Sequence, residues 1–297
     1  MGVIKNGTLT TVPGVSVGHY TDKDALTGVT VMTFPVPNVA CAEIRGGNAV
    51  TRDVSGLIPG MAAETIHAAV FSGGSSYGLA TADGVMEELE KAGSGYETPG
   101  GYIVPCVPTA ILFDLATGDG SVRPGPEEGR LAYHSTSSDP VKMGLVGAGT
   151  GATVAKWQGR KYAKPGGVGS AAVSVGNSNV GALAAVNSVG DVFSLEGQSL
   201  SGGPPVSPYY PGGEYAEGQN TTLVLIATDA ALDRGELNRI LVRCHDSMGV
   251  CLRPAHTYLD GDTAIAVSCG SNQENPNAIA EAAFEAVGRA IEAAVSE

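Results

Sequence analysis

An α+β layered sandwich is the fold class this sequence predicts. Three observations lead there: strand-like runs bounded by glycine recur early and again after residue 170, helical periodicity falls in separate blocks, and the two do not alternate as in a doubly wound parallel sheet. Residues 12–17, 28–33 and 39–44 are apolar or β-branched and flanked by turn formers, which predicts strands. Residues 62–71 and then 77–91 carry small or apolar side chains at three and four spacing, with acids on the other face of the second, and predict helices. Segment 101–115 returns to strand or buried-segment character, although Pro105 and Pro108 argue against a regular central strand. A loop rich in glycine, proline and charge is expected over 118–129, then strands at 170–175 and 181–186. A second loop, exposed and mobile, is expected over 194–220. The remainder reads as strand 221–228, helix 232–249, strand 263–268 and a closing helix 277–295. No internal repeat or linker divides the chain, so 1–297 is expected to be a single domain.

Composition narrows the function. Hydrophobic residues make up 43% of the 297 positions, enough to bury a substantial core. The 43 glycines lie inside apolar runs without a three-residue period, which excludes collagen and disorder and leaves tight turns and close backbone packing. Thirty acidic against seventeen basic residues give a net charge of -13, which repels phosphate backbones and anionic lipid. Neither a nucleic-acid nor a membrane partner is therefore expected. The amino-terminal segment lacks an apolar stretch of signal-peptide length and no run reaches the roughly 20 residues of a membrane span, so a cytoplasmic location is expected. Cys41, Cys106, Cys244, Cys251 and Cys269 are odd in number and sit mostly among apolar neighbours, as reduced core thiols do. His245 and Asp246 beside Cys244 do not complete a zinc-ligand spacing, and no metal or cofactor is expected.

Three stretches hold candidate chemistry. The first, residues 146–156 (VGAGTGATVAK), invites comparison with phosphate loops, but a Walker loop needs Lys followed by Ser or Thr, whereas Lys156 precedes Trp157. The dinucleotide pattern is present only in part. Lys156 is instead a lone cation closing an uncharged run, and a lysine packed among apolar groups loses its proton more readily. Lys161 and Lys164 fit a solvated loop better. The second stretch ends at Asn187, which is either a turn former or an amide that donates to a developing oxyanion. The third, residues 253–268, sets Thr257 ahead of the acidic turn Asp260-Gly261-Asp262; alone, Thr257 is an ordinary loop hydroxyl. A serine triad is disfavoured because SGGSSYG, residues 72–78, lacks the G-x-S-x-G elbow, and His67 and His245 fall on predicted helices.

Taken together, these stretches and others in the same order resemble the self-processing aminopeptidases and amidases that include the D-aminopeptidase DmpA, β-peptidyl aminopeptidases and nylon-oligomer hydrolases. The signposts are VPGVSVGH (12–19), RGGNAVTRD (45–53), AVFSGGSSYGLATADGVMEELEKAG (69–93), VPTAILFDL (107–115), GAGTGATVAK (147–156), GGVGSAAV (166–173), VGALAAVNSVGDV (180–192) and HTYLDGDTAIAV (256–267). The resemblance implies a four-layer αββα sandwich of the N-terminal-nucleophile type, also similar to ornithine acetyltransferase. It implies cleavage into 1–256 and 257–297, Thr257 as nucleophile, Lys156 beside it, and Asn187 at the oxyanion. A peptide or oligoamide substrate and a homo-oligomer, with a tetramer favoured, are implied too. His256 stands before the cut where relatives commonly have asparagine or glycine. The acidic partner expected from the carboxyl-terminal segment does not align, and Glu285 is the candidate there. Two alternatives are an acyltransferase passing the acyl group to an amine, and a binding protein that has lost the chemistry.

Overall fold

The computed structural model describes residues 1–202 and 220–296. Eleven strands build two mixed sheets: β1 (Gly2–Val3), β2 (Ser16–Asp22), β3 (Thr27–Thr33), β4 (Val39–Ile44), β5 (Thr51–Arg52), β6 (Ala68–Ser72), β7 (Thr109–Ile111), β8 (Gly167–Val175), β9 (Ser178–Asn187), β10 (Thr221–Ala230) and β11 (Thr263–Asn272). One sheet has the order β1-β8-β9-β10-β11-β4, the other β2-β3-β6-β7-β5. Each contains one parallel pair, β10 with β11 and β6 with β7. A parallel pair needs a long crossover. Helix α3 (Arg234–Cys251) lies in the first crossover and α1 (Thr81–Lys91) in the second. Helices α2 (Pro126–His134) and α4 (Pro276–Val295) complete the outer layers.

Strand period sets the layering. Along β10, Leu223, Leu225 and Ala227 meet Met32, Phe71 and Leu112 of the other sheet, while Val224 and Ile226 face Leu237, Leu241 and Ile291 of α3 and α4. On the far side, Val29, Val31 and Val70 pack against Val85, Leu89 and Ala132 of α1 and α2. The order is helices, sheet, sheet, helices: an αββα sandwich. Helix α3 starts at a reciprocal cap, Glu236 N–H donating to Asp233 Oδ1 (2.8 Å) and Asp233 N–H to Glu236 Oε2 (2.9 Å).

Three elements differ from expectation. The strand expected at 12–17 begins only at Ser16 and runs to Asp22, with residues 12–15 forming a turn. Residues 62–71 are not helical; they lead into β6, whose five residues are buried between β3 and β7. A short apolar run buried on both faces carries no period that separates helix from strand. The expected loop over 118–129 runs into α2, which begins at Pro126 with Glu128 accepting the Gly125 N–H at 2.8 Å. Glycine and proline frequency there hid an ordinary helix start. The expected mobile loop at 194–220 falls largely on 203–219, outside the described residues. All five cysteines are free, and Cys41, Cys244 and Cys251 are buried. No helix among the described residues is long and apolar enough to cross a membrane.

Close approach accounts for much of the glycine. A Cβ on Gly84 of α1 would overlap the Pro126 carbonyl of α2, and one on Gly129 would overlap the Thr81 carbonyl, so the two helices cross through their glycines. Gly84→Val should therefore lower stability by about 1–3 kcal/mol, as overpacking against backbone does. Gly249 of α3 has open space where a Cβ would go, and Gly249→Ala should raise stability by roughly 0.4–1 kcal/mol. Urea unfolding midpoints of the two variants should move in opposite directions, and a common direction would contradict this account of the packing.

Candidate active site

The ends of β9 and β11 bring the three predicted residues to one place. Asn187, fully buried, ends β9. Its side-chain oxygen accepts from Thr153 N–H (2.9 Å) and from Lys156 Nζ (3.0 Å), and its amide nitrogen donates to the Phe113 carbonyl (3.1 Å). Lys156 follows Ala155, held at a left-handed φ of 61°, which turns the chain at the end of the glycine-dense run. Its side chain is 1% exposed and also donates to the Asn187 backbone carbonyl at 3.2 Å. In this state Asn187 is therefore the anchor of the lysine.

Thr257 lies in the loop between α3 and β11. Its hydroxyl donates to Asp260 Oδ2 at 2.6 Å, and its backbone N–H donates to the same oxygen at 3.1 Å. Asp260, 1% exposed, accepts the Val189 N–H at its other oxygen (3.3 Å), while the Val189 carbonyl accepts the Lys156 N–H (2.8 Å). One residue of the turn after β9 thus bridges the lysine segment to the threonine loop. Close backbone contact holds that loop: Gly47 N–H donates to the Thr257 carbonyl (3.1 Å), Asn48 N–H to the Asp260 carbonyl (2.8 Å). A Cβ on Gly46 would overlap the backbone of residues 260–262, and one on Gly190 would overlap the Pro254 carbonyl.

A second carboxylate, Asp262, lies beneath the first. Its Oδ2 accepts from both the backbone N–H (2.9 Å) and Nδ1 (2.8 Å) of His256, and its Oδ1 accepts the Thr222 N–H (2.8 Å). His256 adopts a left-handed φ of 58°, and its ring meets that of His245 edge to face, centroids 4.9 Å apart. His245 is on α3, where the sequence places it, whereas His67 lies just before β6 rather than on a helix.

The electrostatics follow from burial. Desolvation pulls the Lys156 ammonium down to about 7, with Asp260 opposing the fall and Arg160 adding to it. Desolvation, then the charge of Asp262, holds Asp260 well above the usual carboxylate range, against the hydrogen bonds from Thr257 and Val189. Burial disfavours a charged His256, but the hydrogen bond and charge of Asp262 together outweigh it and raise the imidazole. Burial pushes His245 down to about 4, and His256 and Arg45 reinforce it. Burial thus shifts both an amine and a carboxyl of the site toward their neutral forms, beside a hydroxyl.

Residues 7–297 match the sequence profile of Peptidase family S58. The chain belongs to that family. This S58 chain is an amide-bond hydrolase. It is 37% identical over 297 residues to a Mycobacterium leprae protein called an uncharacterized aminopeptidase, covering 89% of this chain and 78% of the relative. It is 29% identical over 276 residues to the 6-aminohexanoate-oligomer endohydrolase of an Agromyces species, covering 86% of this chain and 73% of that enzyme. Its fold is that of the L-aminopeptidase D-Ala-esterase/amidase from Ochrobactrum anthropi, a variant of the Ntn hydrolase fold, with a TM-score of 0.76 at 22% identity over 99% of this chain and 87% of that one.

Sequence reasoning in this S58 chain missed Asp260, Asp262 and the His256 side chain. The acidic turn was visible, but spacing alone does not say which hydroxyl or imidazole each carboxylate meets. Glu285 does not join them: it is held by Arg289 on α4 at 3.0 Å, in a cluster with Glu196 and Glu292.

The depressed Lys156 has a measurable consequence. Its folded value near 7 lies below the roughly 10.4 of an unfolded lysine, so between those values the unfolded chain binds more protons. The stability this group contributes therefore rises with pH across that window and is lost below it. Lys156→Met should remove a slope of up to about 1.4 kcal/mol per pH unit. Urea unfolding of both proteins between pH 7 and 9.5 checks this, and parallel slopes would contradict a depressed lysine.

Proposed function

We propose that this S58 peptidase is an N-terminal-threonine amide hydrolase that releases its own nucleophile by cutting itself between His256 and Thr257, giving residues 1–256 and 257–297. The observation that carries the reading is the Thr257 hydroxyl donating at 2.6 Å to a buried carboxylate, Asp260, which Val189 ties to the Lys156 segment. The Thr257 oxygen accepts the Leu259 N–H of its own turn at 3.1 Å, and its proton faces a carboxylate that burial shifts toward its neutral form.

Once released, Thr257 carries both a hydroxyl and an α-amine, which titrates near 7.7–8.0 in model peptides and is partly neutral at physiological pH. The amine takes the hydroxyl proton as Oγ1 attacks the substrate carbonyl, with Lys156 sharing that proton. Asn187 stabilises the tetrahedral oxyanion, a donor typically worth about 10² to 10³ in rate. Expulsion of the substrate amine leaves a threonyl ester, and water hydrolyses it. The relatives' names, aminopeptidase and 6-aminohexanoate-oligomer endohydrolase, support a peptide or oligoamide as substrate.

Intact-mass measurement of purified protein should show two fragments, and Thr257→Ala a single folded chain that hydrolyses no aminoacyl or oligoamide substrate. Cleavage at the same bond in Thr257→Ala would remove the assignment. Lys156→Ala should slow both self-cleavage and turnover, by about 10² or more if the amine handles a proton in each.

A further inference from the structure

A cavity of about 680 Å³ is walled by the segments 36–37, 62–67 and 95–97 and by Cys106. It lies at the other end of the sheets from the candidate active site. Val39, two residues after the cavity-lining Pro37, pairs with Ser268 of β11; Ile44, at the far end of β4, pairs with Thr263 and precedes the residues that hold the Thr257 loop. Five strand steps put roughly 17 Å between these two ends. We propose that the cavity is a second binding site of this hydrolase, for an apolar or aromatic primary amine that carries a carbonyl, the chemistry of an amino-acid amide. Nothing in the cavity depends on which residue attacks the substrate.

The floor of the cavity is rigid and carries one donor. His67, 7% exposed, donates its backbone N–H to the Cys106 carbonyl at 3.0 Å and accepts the Cys106 N–H on Nδ1 at 3.1 Å. An amide N–H can only donate, so Nδ1 is unprotonated and the ring proton sits on Nε2. Burial, which pulls this imidazole below its ordinary value, keeps it in that neutral form. Nε2 has no partner among the described residues. A donor so placed calls for an acceptor on the ligand, and a carbonyl oxygen supplies one. Asn38 locks the neighbouring wall: its side chain donates to the Pro35 (2.9 Å) and Ile66 (2.8 Å) carbonyls and accepts the Ile66 N–H (3.1 Å). The cavity is therefore preformed, as small-molecule sites usually are.

The rim selects charge. Glu64 and Glu97, both exposed, are the charged residues of the lining; no lysine or arginine joins them, and neither carboxylate has an ion-pair partner among the described residues. On a chain of net charge -13 this rim repels an anion and attracts an ammonium. Val36, Pro37, Ala63 and Tyr96 make much of the remaining wall apolar or aromatic. The cavity binds without cutting. Burial pushes the Cys106 thiol up to about 11, which leaves little thiolate near neutrality, and the His67 nitrogen that could act as its base is occupied by the Cys106 amide.

The test is alkylation of Cys106 by iodoacetamide in the full-length protein, read by peptide mass spectrometry, with the half-buried Cys269 as the thiol outside the cavity. The probe is the dimethylamide of phenylalanine, and the control is the dimethylamide of phenylpropionic acid, which lacks the amino group. At about ten times its Kd the probe should slow Cys106 alkylation about tenfold by mass action and leave Cys269 unchanged. The control should need about three to ten times more compound for equal protection, the loss expected of two exposed ion pairs. The double variant Glu64→Gln, Glu97→Gln should lose that same factor for the probe and none for the control. His67→Phe, which removes the donor, should weaken probe and control alike. Protection of neither thiol, equal protection of both, or equal potency of probe and control overturns the proposal. So does a rim variant that still tells the probe from the control as well as wild type does.

Discussion

The structure depends on burying a lysine and a carboxylate together where the two sheets meet. An isolated charge in such a place is expensive, and proteins respond by pairing it, hydrogen-bonding it or neutralising it. The last two occur here. Asn187 supplies two acceptors to Lys156, Thr257 and Val189 supply three donors to Asp260, and both groups shift toward their neutral forms. Asn187 can do this only because its own atoms are satisfied by Thr153 and Phe113, which ties the end of β9 to the loop after β7. The site is thus a consequence of how the sheets are joined at one end rather than an ornament on a loop.

That joint explains where glycine is unavoidable. Gly46 and Gly47 let the segment after β4 lie directly on the backbone of the Thr257 loop, and Gly190 lets the turn after β9 lie on Pro254. Side chains at these positions would hold the strands apart by a few ångströms. The bonds from Thr257 to Asp260 and from Val189 to Asp260, at 2.6 and 3.3 Å, have no such slack.

Much of the fold was legible in the sequence because β8 to β11 and the helices α3 and α4 carry long, clean patterns. β6 was misassigned because it is short and buried on both faces, and α2 because its start lies in a stretch whose composition reads as loop. At the site, Lys156 stood out as a single charge in an uncharged run, and the resemblance supplied Thr257 and Asn187. Asp260 and Asp262 were legible only as an acidic turn. Two carboxylates two positions apart meet different partners, Thr257 above and His256 behind, because the turn points them apart, and that geometry is set by contacts with residues 45–48 more than 200 positions away in the chain.

The same pair of carboxylates gives the proposed cut a direction. Breaking the bond at 256–257 creates an amine within reach of Asp260 and a carboxyl on His256, whose imidazole already leans on Asp262. The new ammonium compensates a carboxylate that burial had kept from ionising, and the new carboxylate meets an imidazole that favours its charged form. Each product charge arises next to a group of opposite sign or one ready to become so.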